Sequence, residues 1–393
     1  MNGGVLVIER LQKQFENIFN AHADGCYFAP GRVNLIGEHT DYNGGNVFPC
    51  ALVIGTYGVA RKREDTLVRL YSENFPEVGI IEFDINDVKF EKEHDWANYP
   101  KGLIYTFKEK GLKFNHGFEI YFEGNIPHGA GLSSSASIEV LTAIILDDLY
   151  QFGLDRIDMV KLSQQAENQF VGVNSGIMDQ FAVGMGKKDK AILLDTNTLE
   201  YRYASIQLKD ASIIIANTNK RRGLQDSKYN ERREQCEEAL RILKTKLDIK
   251  ALGELSEEEF LQNADLIDSE VLRKRAKHAV FENVRTLKAV EALEKEDIKE
   301  FGRLMYESHD SLRDDYEVTG VELDTLVELA RKQEGVIGSR MTGAGFGGCT
   351  VSIVKNEAVE DFIENVGKTY LEIIGYAADF YVVSIGEGAH KLT

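Results

Sequence analysis

The chain has 393 residues, 43% hydrophobic and 28% charged, the proportions of a soluble globular protein long enough for two domains. Its 46 basic residues against 64 acidic ones give a net charge of -18. Such a field excludes nucleic acid and anionic membrane as partners, and any site for a phosphorylated ligand must be built locally, from backbone amides, selected basic residues or a metal. Cys26, Cys50, Cys236 and Cys349 are widely spaced with no C-x-x-C pair, which argues against a zinc site or a disulfide framework. The N-terminus lacks a leader pattern, and no segment reaches the ~18–20 apolar residues of a membrane span, so the expected location is the cytoplasm.

In chain order, residues 5–20 carry helical spacing at Leu11, Phe15 and Phe19. From Cys26 to Val68, short β-rich runs alternate with glycine-bearing turns. Residues 116–126 (HGFEIYFEGNI) alternate like a half-buried strand, and ASIEVLTAIILDDLYQFG (136–153) reads as a long buried helix. A second helix over 160–170 places Leu162, Ala166 and Phe170 four apart. DASIIIANTNK (210–220) is a strand opening a new sheet. The chain then turns helical and charged from Ser227 to about Leu329, and closes with glycine-rich turns and two strands, CTVSIV and DFYVVSI. With no linker and no repeat, the boundary is set topologically near 205, giving domains 1–205 and 206–393.

Between the strand and the buried helix stands PHGAGLSSSAS (127–137). A helix start leaves backbone N–H groups unpaired and carries partial positive charge. Glycines ahead of it let the backbone wrap an anion, and serine hydroxyls add hydrogen bonds or a metal ligand. An ordinary capped helix after a turn is the competing reading. Two look-alikes fail. Gly367-Lys368-Thr369 has Phe362 where a Walker A loop requires its first glycine. Gly343 to Gly348 fits G-x-G-x-x-G, but a strand follows it, so it reads as a tight turn or a second backbone approach to the same ligand.

Two further stretches concentrate polar groups. APGRVNLIGEHTDYNGG (29–45) holds Arg32, Asn34, Glu38, His39, Asp41 and Asn43, of which Glu38, His39 and Asp41 suit a polyhydroxylated ligand; a solvated loop fits the same composition. The H-E-x-x-H spacing of a zinc site is absent. ENQFVGVNSGIMDQFAVGMG (167–186) supplies Glu167 and Asp179. Ser135 with Glu167 is a hard-oxygen pair for Mg2+. Asp179 lies in an apolar context where an ionised carboxylate needs a partner, and Arg32 can provide it; a salt-bridged or capping Asp is the plainer alternative.

Together the three motifs resemble the GHMP kinases. PHGAGLSSSAS is similar to the family's ATP loop, MTGAGFGGC (341–349) to its third motif, and GRVNLIGEHTDYNGG to the signature of the members that phosphorylate galactose. The resemblance implies an α+β, two-domain fold, with a mixed-sheet N-terminal domain, a split β-α-β-like C-terminal domain and the site between them. It implies transfer of the γ-phosphoryl of ATP to the anomeric hydroxyl of galactose, with Mg2+, in a monomer acting on small molecules. By the same resemblance Asp179 is the base and Arg32 its partner and transition-state stabiliser. Glu38, His39, Thr40, Asp41, Gly176 and Tyr229 hold the sugar. Gly129, Ala130, Gly131, Leu132, Ser133, Ser134 and Ser135 cradle the phosphates, Ser135 and Glu167 take Mg2+, and Trp96, Tyr99 and Ser72 lie at the adenine. Read from spacing alone, Tyr229 joins the helical stripe of Cys236, Leu240 and Leu243. The rivals are a kinase for N-acetylgalactosamine or a uronic acid, and a galactose- and ATP-binding transcriptional sensor. The uninterrupted SSSAS run, Arg32 and Asp179 favour catalysis over sensing.

Overall fold

The computed structural model describes residues 2–127, 129–221 and 225–393; His128 of the phosphate loop lies outside the described residues. Helix α1 (Asn2–Phe19) buries Leu11, Phe15 and Phe19 as their spacing requires, against Cys26, Val59 and Tyr121. Strand β1 (Gly25–Asn34) is buried along its whole length. After the short β2 (Asn46–Val47) come β3 (Pro49–Lys62), β4 (Leu67–Ser72) and β5 (Ile81–Asp84). Strands β1 and β3 are longer than the short runs expected. Helix α2 (Asn98–Glu109) precedes β6 (Phe118–Gly124), the strand expected at 116–126. Helix α3 (Ser134–Tyr150) is apolar around most of its surface and is buried accordingly. It packs across β1 and β3 with Val140, Leu141 and Ile145 in the core.

The next helix, α4 (Arg156–Gln165), ends sooner than the 160–170 pattern predicts. Residues Ala166–Val171 continue it as a wider π turn, which leaves Phe170 half-exposed against Tyr105. Then follow α5 (Met178–Met185), the hairpin β7 (Lys190–Asp195) and β8 (Tyr201–Ser205), and β9 (Ala211–Asn217). The charged region folds as α6 (Gln225–Leu243), α7 (Glu257–Asn263), α8 (Glu270–Glu294), α9 (Ile298–Ser311) and α10 (Gly320–Arg331). Strand β10 (Val336–Thr342), β11 (Cys349–Lys355), α11 (Val359–Ile374), β12 (Asp379–Val383) and β13 (His390–Lys391) complete the chain. The residue pattern predicts two strands here, at CTVSIV and DFYVVSI; β10 and α11 are additional to them. Gly367-Lys368-Thr369 lies within α11, where no phosphate loop can form.

The first sheet has the order β13-β1-β3-β6-β4-β5 and is mixed, β4 and β6 being parallel. The second, β10-β11-β9-β12, is antiparallel and covered on both faces. Ile214 and Ala216 of β9 meet Phe362 and Tyr370 of α11, while Ile213 and Ile215 face Val290, Leu304 and Met305 of α8 and α9. Two-sided burial explains why this strand reads as an unbroken apolar run. Val33, Leu35, Phe48, Ala130 and Leu132 join the same core as Ile213, Ile215 and Val351, so the two sheets are fused beneath the loops that carry the polar motifs.

Candidate active site

A cavity of about 680 Å³ opens above that shared core. Its centre is an ion pair. Gly31 abuts the phosphate loop so closely that a Cβ there would stand 2.8 Å from the Leu132 carbonyl, and β1 changes register between Pro30 and Arg32. This turns Arg32 into the cavity wall, where its Nε and one terminal nitrogen donate to the two carboxylate oxygens of Asp179 at 2.7 and 2.8 Å. The other terminal nitrogen donates to the Gly131 carbonyl at 2.9 Å, and the Ser133 hydroxyl donates to Asp179 as well. Burial alone would lower the Arg32 pKa, but Asp179, Glu38 and Asp41 outweigh it and hold the guanidinium charged. The bidentate geometry fixes the carboxylate's direction as well as its charge.

The loop after β1 forms one wall. Glu38 is buried and accepts from Arg340 at 3.1 Å; burial raises its pKa against the opposing pull of Arg340 and Arg32. His39 has a left-handed backbone, with φ 60°. Its Nε2 lies 2.9 Å from the Ala344 carbonyl and its Nδ1 2.7 Å from the Tyr42 hydroxyl. A carbonyl only accepts, so Nε2 carries the proton and Nδ1 accepts from Tyr42, which accepts in turn from Tyr316 at 2.5 Å. Burial pushes the His39 pKa down to about 3, so the ring is neutral and both its nitrogens are engaged by protein. Thr40 is fully buried and donates to backbone carbonyls at Gly37 and Asn46, so it braces the loop and does not line the cavity. Asp41 does line it, packed so tightly on Gly176 that a Cβ there would lie 1.9 Å from a carboxylate oxygen. Burial, then Asp179 and Glu38, push Asp41 up to about 7. Tyr229 faces the cavity with its ring 5.6 Å from His39 and 5.5 Å from Tyr42.

The opposite wall is backbone. Gly129, Gly131 and Ser133 all take positive φ (72°, 70° and 60°), which alternates the loop. Gly129, Gly131, Ser133, Ser134 and Ser135 line the cavity, while the Ala130 and Leu132 side chains enter the core. The Ser133 side chain does not cap the start of α3, so its hydroxyl does not compete with an anion for the first amides. The turn joining β10 to β11, Gly343 to Gly348, closes over this loop, with the Cys349 thiol donating to the Ala130 carbonyl at 2.6 Å. It is a glycine turn and a second backbone wall, as its sequence context indicated. Glu167, on the π turn, is buried and accepts from Ser175 and Gln180, both at 2.7 Å, and from the Ser135 hydroxyl. Burial first, and Asp179 after it, raise the Glu167 pKa. Ser72, Trp96 and Tyr99 line the cavity beside Asn74, Phe75 and Phe122. The Trp96 indole nitrogen is buried with no hydrogen-bond partner, and its ring stands edge-on to Phe122 at 5.6 Å.

Several lining or supporting residues were not read from the sequence. Arg340 sits on the missed strand β10, fully buried between Glu38 and the Asn34 carbonyl. An arginine inside VIGSRMT was the available signal, since a charge in mid-strand needs a buried partner. Ser175 and Gln180 flank the Gly176–Asp179 stretch but carry no charge to draw notice. Tyr42 and Tyr316 meet only through the tertiary fold.

A helix start preceded by a glycine turn therefore faces a polar loop across the Asp179–Arg32 pair, an arrangement suited to phosphoryl transfer from a nucleotide to an alcohol. The galactokinase galactose-binding signature matches residues 13–62, the GHMP kinase N-terminal domain residues 98–187 and the GHMP kinase C-terminal domain residues 289–372. The galactokinase of Fusobacterium nucleatum is 61% identical over 98% of this chain and 100% of its own length, and that of Clostridium acetobutylicum 60% over 98% and 99%. The crystal structure of Lactococcus lactis galactokinase complexed with galactose superposes with a TM-score of 0.96 at 52% identity, over 98% of this chain and 100% of that one. Methanococcus jannaschii mevalonate kinase, at 19% identity and a TM-score of 0.64 over 92% and 98%, shares the fold. The chain belongs to the GHMP kinase family, among its galactokinases, and is an ATP-dependent sugar kinase.

Proposed function

We propose that this kinase moves the γ-phosphoryl of ATP onto the anomeric hydroxyl of galactose, with Asp179 as the base. The observation that carries the reading is the bidentate Arg32–Asp179 pair, set where the sugar loop and the phosphate loop meet. In the reaction the Asp179 carboxylate takes the proton of the C1 hydroxyl as that oxygen bonds to the γ-phosphorus. The bond from phosphorus to the β–γ bridging oxygen breaks, and ADP leaves. Arg32 orients the Asp179 carboxylate and offsets charge developing on the transferred group. Glu38, Asp41, the Gly176 backbone and Tyr229 hold the sugar hydroxyls. His39 and Thr40 act by fixing the loop. Gly129 to Ser135 cradle the phosphates, Ala130 and Leu132 through their backbone, and Ser72, Trp96 and Tyr99 take the adenine.

Mg2+ fits the residues present. The Ser135 hydroxyl and Glu167 carboxylate are hard oxygens on the cavity wall, and burial together with the Asp179 charge raises the Glu167 pKa, which a bound cation would offset. Bound there, the ion neutralises phosphate charge. We place the enzyme in the cytoplasm as a monomer, with domains 1–205 and 206–393, acting on small molecules and not on nucleic acid or membrane; among the described residues no helix is long and apolar enough to cross a bilayer.

Asp179→Asn tests the central role. It keeps a hydrogen-bonding side chain for Arg32 but cannot take the proton, so kcat should fall roughly 10²–10⁴-fold while galactose affinity, measured by calorimetry, is retained. A variant with most of its kcat would make Asp179 structural.

A further inference from the structure

Gln180 follows the catalytic carboxylate but is fully buried. Its amide nitrogen donates to Glu139 Oε2 of α3 at 3.0 Å and to Glu167 Oε2 of the π turn at 2.7 Å. The reverse amide orientation would set its oxygen against two carboxyl groups, so the assignment is fixed by chemistry. One amide thus ties the helix that carries Asp179 to the helix that begins at the phosphate loop and to the turn that carries Glu167. The Ser175 hydroxyl also donates to Glu167 Oε2, so that one oxygen takes both hydrogen bonds.

Beneath this amide lies a carboxyl group with no role in the reaction above. Glu139 is fully buried, and its Oε1 and the Gln180 Oε1 both lack hydrogen-bond partners. Its charged neighbours, Glu167 and Asp179, are both acidic, and burial first of all raises its pKa well above its ordinary value.

We infer that Gln180 is a positioning residue for the cation end of the site: braced by Glu139, it holds the Glu167 carboxylate where it and Ser135 receive the metal. The inference rests on the assignment of Ser135 and Glu167 to Mg2+. Groups that orient a metal ligand typically contribute 10–100-fold to metal affinity.

The test is Mn2+ binding to the full-length protein with a non-hydrolysable ATP analogue, read from the electron paramagnetic resonance of free Mn2+. Gln180→Met, of similar length without the amide, should weaken Mn2+ about tenfold or more and raise the Mg2+ needed for half-maximal activity in parallel. Galactose affinity should stay within twofold. A folded Gln180→Met with wild-type Mn2+ affinity overturns the inference. If Gln180→Met does not fold, Glu139→Leu and Glu139→Gln decide: a loss of Mn2+ affinity in the first, restored in the second, supports positioning, and wild-type affinity in both overturns it. Glu167→Gln is the control. If it too binds Mn2+ normally, the cation assignment itself is wrong and the inference falls with it.

Discussion

Asp41 packs on the Gly176 backbone with Asp179, Glu38, Arg32 and the Tyr229 hydroxyl among its titratable neighbours. Its pKa rises from 3.8 to about 7. Between those values the folded protein keeps a proton that the unfolded chain has released, so this group's contribution to stability falls as pH rises from about 4 to 7. Asp41→Asn removes that loss. In ligand-free denaturant titrations, the variant's stability relative to wild type should therefore increase from pH 4.5 to pH 7.5; a constant difference would mean that Asp41 is ionised throughout. The Arg32–Asp179 pair was legible in the sequence because a carboxylate in IMDQF demands a partner. The fixing of His39 by Tyr42 and Ala344 was not. It depends on a turn 305 residues away, and composition indicated only that the loop was polar.

At the scale of elements, the α3 start was readable because glycine and serine ahead of an apolar run have few other uses. Strand β10 was not, since its interior arginine conceals an apolar strand until the partner Glu38 is seen. The π turn was equally hidden: helical spacing continues through it, while the extra residue per turn carries Phe170 away from the core and leaves Glu167 on the cavity wall. The approach to α5 offers a direct test. Gly176 leaves no room for a methyl group, whose carbon would stand 1.9 Å from the Asp41 carboxylate. Gly176→Ala should displace that acceptor and cost about 1–3 kcal/mol of transition-state binding, a fall on the order of 10- to 100-fold in kcat/KM for galactose. The KM for ATP should change little, because the phosphate loop is not touched. Steady-state kinetics in each substrate distinguish this from a general loss of folding, which would lower both.

Across the whole molecule, a net charge of -18 is reconciled with a polyanionic nucleotide by local means: uncapped helix amides, two glycine turns and a buried guanidinium. The two sheets share a core beneath the cavity, and β13 returns from the C-terminus to pair with β1, the strand that carries Arg32. The loop walls of the cavity are thereby held in one frame, which the order of motifs along the chain implied but could not place. The central claim is that the loop from Glu38 to Asp41 reads galactose while the Ser133–Ser135 helix start presents ATP to Asp179. ADP release with galactose, 2-deoxygalactose and glucose as acceptors tests it most directly. A site built to bond hydroxyls rejects analogues that leave its polar groups unpaired. Galactose should support rapid ADP formation with matching galactose 1-phosphate, 2-deoxygalactose less, and glucose, epimeric at C4, barely any. Equal turnover of glucose and galactose, or ADP release indifferent to any sugar, would contradict the account.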